Sequence, residues 1–133
     1  MAALLPLALL AAENSHHQRL QELENIHSTK RSAEQQLELA QHYYRERKLE
    51  QAYQQIDLFL QQEPRSADGW LMMGDIWREW EQWQEALESY DRAAKQSPKR
   101  AEIHLRRGQA LSELGDEKEA DKAYAQYRAL AGG

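Results

Sequence analysis

Five histidines, at positions 16, 17, 27, 42 and 104, are the side chains whose ordinary proton affinity lies nearest neutrality. No two are four residues apart, the spacing that would set two imidazoles on one helix face for a metal. His16 and His17 are adjacent, so they point to different sides of any helix. All five are expected to face solvent. Carboxylate pairs such as Glu22 and Glu24 stand in a charged stretch, without the apolar surroundings that would tune one of them into a general acid. A glycine-rich phosphate loop, a G-x-S-x-G elbow and an H-E-x-x-H motif are all missing. With no cysteine, thiolate zinc sites, cysteine nucleophiles and disulfides are excluded together. The residues that could do chemistry assemble no catalytic, metal or cofactor set, and the expectation is a protein that is not an enzyme and needs no cofactor.

Four tryptophans, at 70, 77, 80 and 83, crowd one stretch instead. Trp70 and Trp77 fall at helical spacing and read as core, as does Trp83. Trp80 reads as half-exposed and a candidate contact residue, because exposed tryptophan is enriched at interfaces. The chain around them has 133 residues, 29% charged, with a mean hydropathy of −0.91. That length suits one core, and a high charged share suits an elongated helical molecule with much surface. A net charge of −5 removes the basic footprint of a nucleic-acid binder. Three prolines and six glycines are too few for an all-β chain full of tight turns.

Those elements repeat. Setting Ala33, Ala67 and Ala101 in register gives rows 34 residues apart. Leu37, Leu71 and Leu105 then align, as do Ala52, Ala86 and Ala120, and Ala40, Gly74 and Gly108. Each row predicts two helices, the first over 33–46, 67–80 and 101–114, the second over about 50–62, 84–96 and 118–130. Ser32 with Gln35 has the pattern of a capping box, and Pro64 and Pro98 end the helices before them. Small residues on facing helices let the backbones approach, and stacked hairpins bury faces that no hairpin buries alone.

The row Trp70-x-x-Met73-Gly74-x-x-Trp77, followed by Ala86, Tyr90, Ala93 and Pro98, resembles the tetratricopeptide repeat. The resemblance covers residues 33–133, divided as 33–66, 67–100 and 101–133. The first row is looser, with Gln36 in the Trp column. The third has His104 and Arg107 where an aromatic and an aliphatic residue are commoner. An all-α solenoid of three antiparallel hairpins, wound as a right-handed superhelix, is the implied fold, with a protein or peptide segment held on its concave face.

The resemblance also implies which residues face that groove: Leu37, Gln41 and Tyr44 from the first row, Leu71, Met72, Asp75, Arg78 and Glu79 from the second, and Glu102, Leu105, Arg106 and Gln109 from the third. Around the seam of Leu37, Leu71, Met72 and Leu105, acids outnumber arginines, which fits an apolar partner segment with a basic flank. Family members that grip an acidic C-terminal tail carry lysines, asparagines and an arginine at positions here occupied by Leu37, Gln41, Met72, Glu102 and Arg106. Only Arg106 matches, so that function is not expected.

Residues 1–32 lie outside the repeat. A helix over Ser15–Ile26, capped by Ser15 and Gln18, would turn Leu20, Leu23 and Ile26 onto the first hairpin as a lid. Before it, Ala2–Ala12 is an unbroken run of Ala, Leu and Pro6, shorter than the roughly 20 residues a membrane span needs. Nothing basic precedes it, as a secretory signal would require. Three readings stay open: an imperfect signal or the end of a membrane anchor, a helix docked in the groove or on a partner, or a disordered scar. The first favours an exported or membrane-tethered setting over a cytoplasmic one, with membrane contact through residues 2–12. For function, the expectation is a scaffold or assembly factor that binds protein. The alternative is a homo-oligomer stacked through hairpin ends, since Tyr124, Tyr127 and Leu130 have no following helix to cover them.

Overall fold

The computed structural model describes residues 6–132, which form seven α-helices. Helix α1 spans Leu7–Asn25 and is followed by a short 3-10 turn at Ser28–Lys30. Three hairpins follow: α2 (Ala33–Arg45) with α3 (Leu49–Gln62), α4 (Ala67–Glu79) with α5 (Trp83–Gln96), and α6 (Ala101–Glu113) with α7 (Glu117–Gly132). Each helix packs mainly on its neighbours in sequence.

The predicted columns carry this packing. Ala52, Ala86 and Ala120 are all fully buried, each where the second helix of a hairpin crosses the first. Gly74 and Gly108 answer a second steric demand, since a Cβ added at either would come within 2.4 and 2.6 Å of the rings of Tyr90 and Tyr124. Between the first two hairpins the core is built on Ala40, Ile56, Phe59, Leu60, Met73 and Ile76. Between the second and third it is built on Leu71, Ala86, Tyr90, Ala93, Ile103 and Ala110.

Each hairpin turns in the same way. After α2, α4 and α6 one residue adopts a left-handed conformation: Arg47 (φ 64°), Glu81 (φ 57°) and Gly115 (φ 82°), spaced by 34. The next amide, that of Lys48, Gln82 or Asp116, reaches back to the carbonyl of Tyr43, Trp77 or Leu111 at 2.8–2.9 Å. This double reach-back satisfies the last carbonyls of the first helix and sets the angle of the second. Only the third turn has the glycine that the geometry favours, so Glu81→Gly is expected to stabilise the chain by about 0.5–1 kcal/mol, read as a raised melting temperature.

At the N-terminus the structure corrects the sequence reading. Ser15 caps nothing; the helix begins after Pro6, because the Ala/Leu run is itself a strong helix former. Leu20 and Leu23 are buried against Leu39, with Tyr43 packed beside them, so α1 does cover the first hairpin. Ile26 is the residue at which the helix stops. Arg19 adds a two-pronged ion pair to Glu38, at 2.7 and 2.9 Å, which holds the Glu38 carboxyl below the usual carboxylate range. Further forward, Leu7, Leu9 and Leu10 are 85%, 45% and 40% exposed, so residues 7–12 of this run do not dock in the chain's own groove. Residues 2–5 of the run lie outside the described residues. Among the described residues no helix is long and apolar enough to cross a membrane.

Candidate functional site

Helices α2, α4 and α6 present one common face. A cleft of about 200 Å³ on it is lined by Gln41 of α2, by Asp68, Leu71, Met72 and Asp75 of α4, and by Arg100, Glu102 and Arg106 from the start and body of α6. The fold thus brings Gln41, Leu71, Met72, Asp75, Glu102 and Arg106 together, as expected from the sequence. Tyr44, Arg78 and Glu79 form a second polar group beside them, joined to the first through Arg78 and Asp75. Leu37, Met72 and Leu105 are half-exposed on this side of their helices, while Gln109 is exposed.

Asp75 is the hub. The Tyr90 hydroxyl donates to its Oδ1 at 2.6 Å, while Arg106 Nε stands at 3.2 Å and Arg78 Nη1 at 3.6 Å. Burial raises the Asp75 carboxyl above its ordinary range, and these three contacts oppose that rise. Burial likewise pushes the Tyr90 hydroxyl upward, reinforced by the neighbouring Asp75 charge. Arg106 Nη1 is buried without a hydrogen-bond acceptor, its nearest carboxylate oxygen being Glu102 Oε2 at 3.6 Å.

Along the rim, Arg78 Nη2 donates to the Tyr44 hydroxyl at 3.3 Å, and that hydroxyl donates to Glu79 Oε1 at 3.2 Å. Arg47 Nη2 donates to Glu79 Oε2 at 2.8 Å and is the leading cause of that carboxyl's lowered proton affinity. Arg100 pairs with both Asp68 and Glu102. The acid excess read from the sequence is therefore smaller in the folded chain. Arg47 and Arg100 come from turns just outside the predicted groove columns and reach in.

Leu71 needs a correction. It touches the cleft but is only 6% exposed, and its side chain belongs to the core shared with Tyr90 and Ile103. It is floor, and the surface available to a partner is its neighbour Met72.

A family model described as TPR repeat matches residues 74–115, the end of α4 through α6. A crystal structure of MamA superimposes with a TM-score of 0.83 over 96% of this chain and 76% of that chain, at 15% identity. MamA from Desulfovibrio magneticus RS-1 gives 0.81 over 92% and 70%, at 14% identity, and MamA AMB-1 gives 0.80 over 90% and 66%, at 18% identity. Residues 74–115 thus match a tetratricopeptide repeat, and the three hairpins together have a tetratricopeptide-like fold. The chain spans between 63% and 76% of the MamA chains in these matches. No curated protein matches the sequence.

The tetratricopeptide frame also places the histidines and tryptophans. His104, expected in solvent, is 4% exposed in the column that holds Trp70 one repeat earlier. Its Nε2 lies 2.6 Å from the Pro98 carbonyl, which can only accept, so that nitrogen carries the proton. This repeats the Trp70 indole, whose Nε1 donates to the Pro64 carbonyl at 2.8 Å. His42 is also partly buried, which lowers its proton affinity, and the fold sets it against His16 with ring centroids 5.7 Å apart. Among the described residues no group of three or more His, Asp or Glu side chains could hold a metal ion. Trp80, the candidate contact residue, packs edge to face on Trp77 at 5.4 Å and at a tilt on Tyr53 at 5.7 Å, away from the groove.

Proposed function

We propose that this tetratricopeptide-like chain is a non-catalytic interaction module that holds an apolar segment of a partner protein across α2, α4 and α6. The observation that carries the reading is the composite cleft, to which three successive hairpins contribute, floored by Leu71 and flanked by half-exposed Leu37, Met72 and Leu105. A largely pre-paired polar rim supports specificity more than raw affinity, because most of its arginines and carboxylates already have partners within the chain. Leu37, Gln41, Tyr44, Met72, Asp75, Arg78, Glu79, Glu102, Leu105, Arg106 and Gln109 remain the proposed contact set. Apolar area removed from water supplies the drive, at about 25 cal/mol per Å² before association costs. A basic flank on the partner would engage the rim only by displacing Arg47 or Arg100.

The test is co-precipitation from the source cells with the full chain and with a Met72→Asp/Leu105→Asp variant. A partner retained by the first and lost by the second, with helicity unchanged, is the expected result. Equal recovery by both would remove the groove from the interface.

Self-assembly is the second reading, favoured by the two ends of the stack. Leu130 on α7 is 37% exposed and Leu7, Leu9 and Leu10 project from α1, so both ends carry uncovered apolar surface. End-to-end stacking would bury both, and the leucines of α1 would equally serve contact with a membrane surface. A mass by light scattering that stays monomeric at high concentration would dismiss the stacking.

A further inference from the structure

The back of α4 carries a second cleft, of about 390 Å³, closed on one side by α3 and on the other by α5. Residues 70, 73 and 77 of α4 line it, while residues 68, 71, 72 and 75 line the groove. At 100° per residue these two sets lie on opposite sides of the helix. The cleft's wall is aromatic, with the Tyr53 and Trp77 rings edge to face at 5.4 Å and the Arg92 guanidinium 4.6 Å above the Trp70 ring. Asp57, Glu85 and Glu88 complete the lining. Among the described residues none of these three carboxylates forms an ion pair. Asp57 accepts only from the neutral Gln61 amide at 3.2 Å, and Glu88 from Gln84 at 3.5 Å.

One repeat later the same columns show what such a cleft holds. Arg107 stands where Met73 stands, and its Nε pairs with Asp91, the column mate of Asp57, at 2.7 Å. Its Nη1 lies 3.5 Å from Gln126 Oε1 and 3.4 Å from His104 Nδ1, the column mates of Arg92 and Trp70. Glu119, the mate of Glu85, is paired with Lys122 at 2.9 Å. The later cleft, still open at about 440 Å³, is thus supplied with its cation and neutralised from within the chain. The earlier one has the aromatic wall and the carboxylates, but a methionine where the cation would originate.

We infer that this earlier cleft is a socket for an arginine side chain of a protein partner, which would enter from solvent and take the place that Arg107 fills one repeat on. Three carboxylates against the single Arg92 give the lining a net negative charge, and an aromatic face attracts a guanidinium whose hydration is weak. The socket is independent of the groove, so a partner could hold the chain from both sides of α4.

The experiment titrates the full chain with a blocked glycine–arginine–glycine peptide and with its citrulline counterpart, which keeps the shape and loses the charge. The readout is the NMR signals of the tryptophan indole N–H groups. Saturable shifts of Trp70 and Trp77 with the arginine peptide alone are expected, weakening as salt rises. An Asp57→Asn/Glu85→Gln variant should bind about threefold more weakly or less tightly still, as the loss of two exposed ion pairs implies. Equal responses to both peptides, or no response, would each overturn the assignment.

Discussion

Replacing Ala86 by Glu is expected to unfold the chain. Ala86 is fully inaccessible, inside the core formed with Tyr90, Ala93 and Ile103 and beneath the first helix of its own hairpin. No cation stands among those neighbours, so the new carboxylate would be buried unpaired, and its extra atoms would force α4 and α5 apart. The two effects together are worth about 3–5 kcal/mol or more, a large share of the stability of a domain this size. Thermal melting by circular dichroism checks the expectation, with Ala86→Ser as a companion of nearly the same volume that should lose far less. An unchanged melt for the Glu variant would mean that the small-residue columns do not mark where the helices cross.

Those columns are why the fold could be read from the sequence. A helical hairpin needs a small residue at its crossing whatever else changes, so Ala52, Ala86 and Ala120 survive in rows that otherwise differ. The capping box could be read for a similar reason, since it is a local contact: Ser32 accepts from the Gln35 amide while the Gln35 side chain accepts from the Ser32 amide. The left-handed turn residues could not. Arg47 and Glu81 give no sign of a positive φ, which the packing of the flanking helices imposes on them. The start of α1 was misplaced because Ser15 and Gln18 have the pattern of a cap, yet an unbroken Ala/Leu run before them propagates the helix past it.

The groove was legible by column but not by burial. Pattern places Leu37, Leu71 and Leu105 together, and equal spacing suggests equal exposure. What differs is the helix that follows each. Leu71 shares its core with Ile103, while the residue in the Ile103 column one repeat earlier, after Leu37, is Gly69, which has no side chain to cover anything. Leu105 has no following hairpin among the described residues. The neutralised rim escaped for a related reason. Arg47 and Arg100 are far in sequence from the carboxylates they meet across the stack, Glu79 and Asp68.

The burial of Leu71 changes what a groove mutation means. An anchor read from sequence alone would tolerate Leu71→Asp, losing the partner and keeping the fold. At 6% exposure, packed with Tyr90 and Ile103, the substitution is expected instead to cost about 3–5 kcal/mol, through lost apolar burial and a desolvated charge within reach of Asp75. Arg106 Nη1 has no acceptor of its own, and a contact between it and the new carboxylate would offset only part of this cost, because both charges would still be desolvated. Met72→Asp, one residue on and half-exposed at the edge of the core, should cost clearly less, about 1–2 kcal/mol in a denaturant titration. The pair therefore separates folding from binding on adjacent residues of one helix. A clearly larger loss of stability in Leu71→Asp than in Met72→Asp is the expected outcome, and partner capture should fail in both. Were the two variants equally stable, Leu71 would be part of the binding surface after all, and the rotation of α4 within the stack would need to be redrawn.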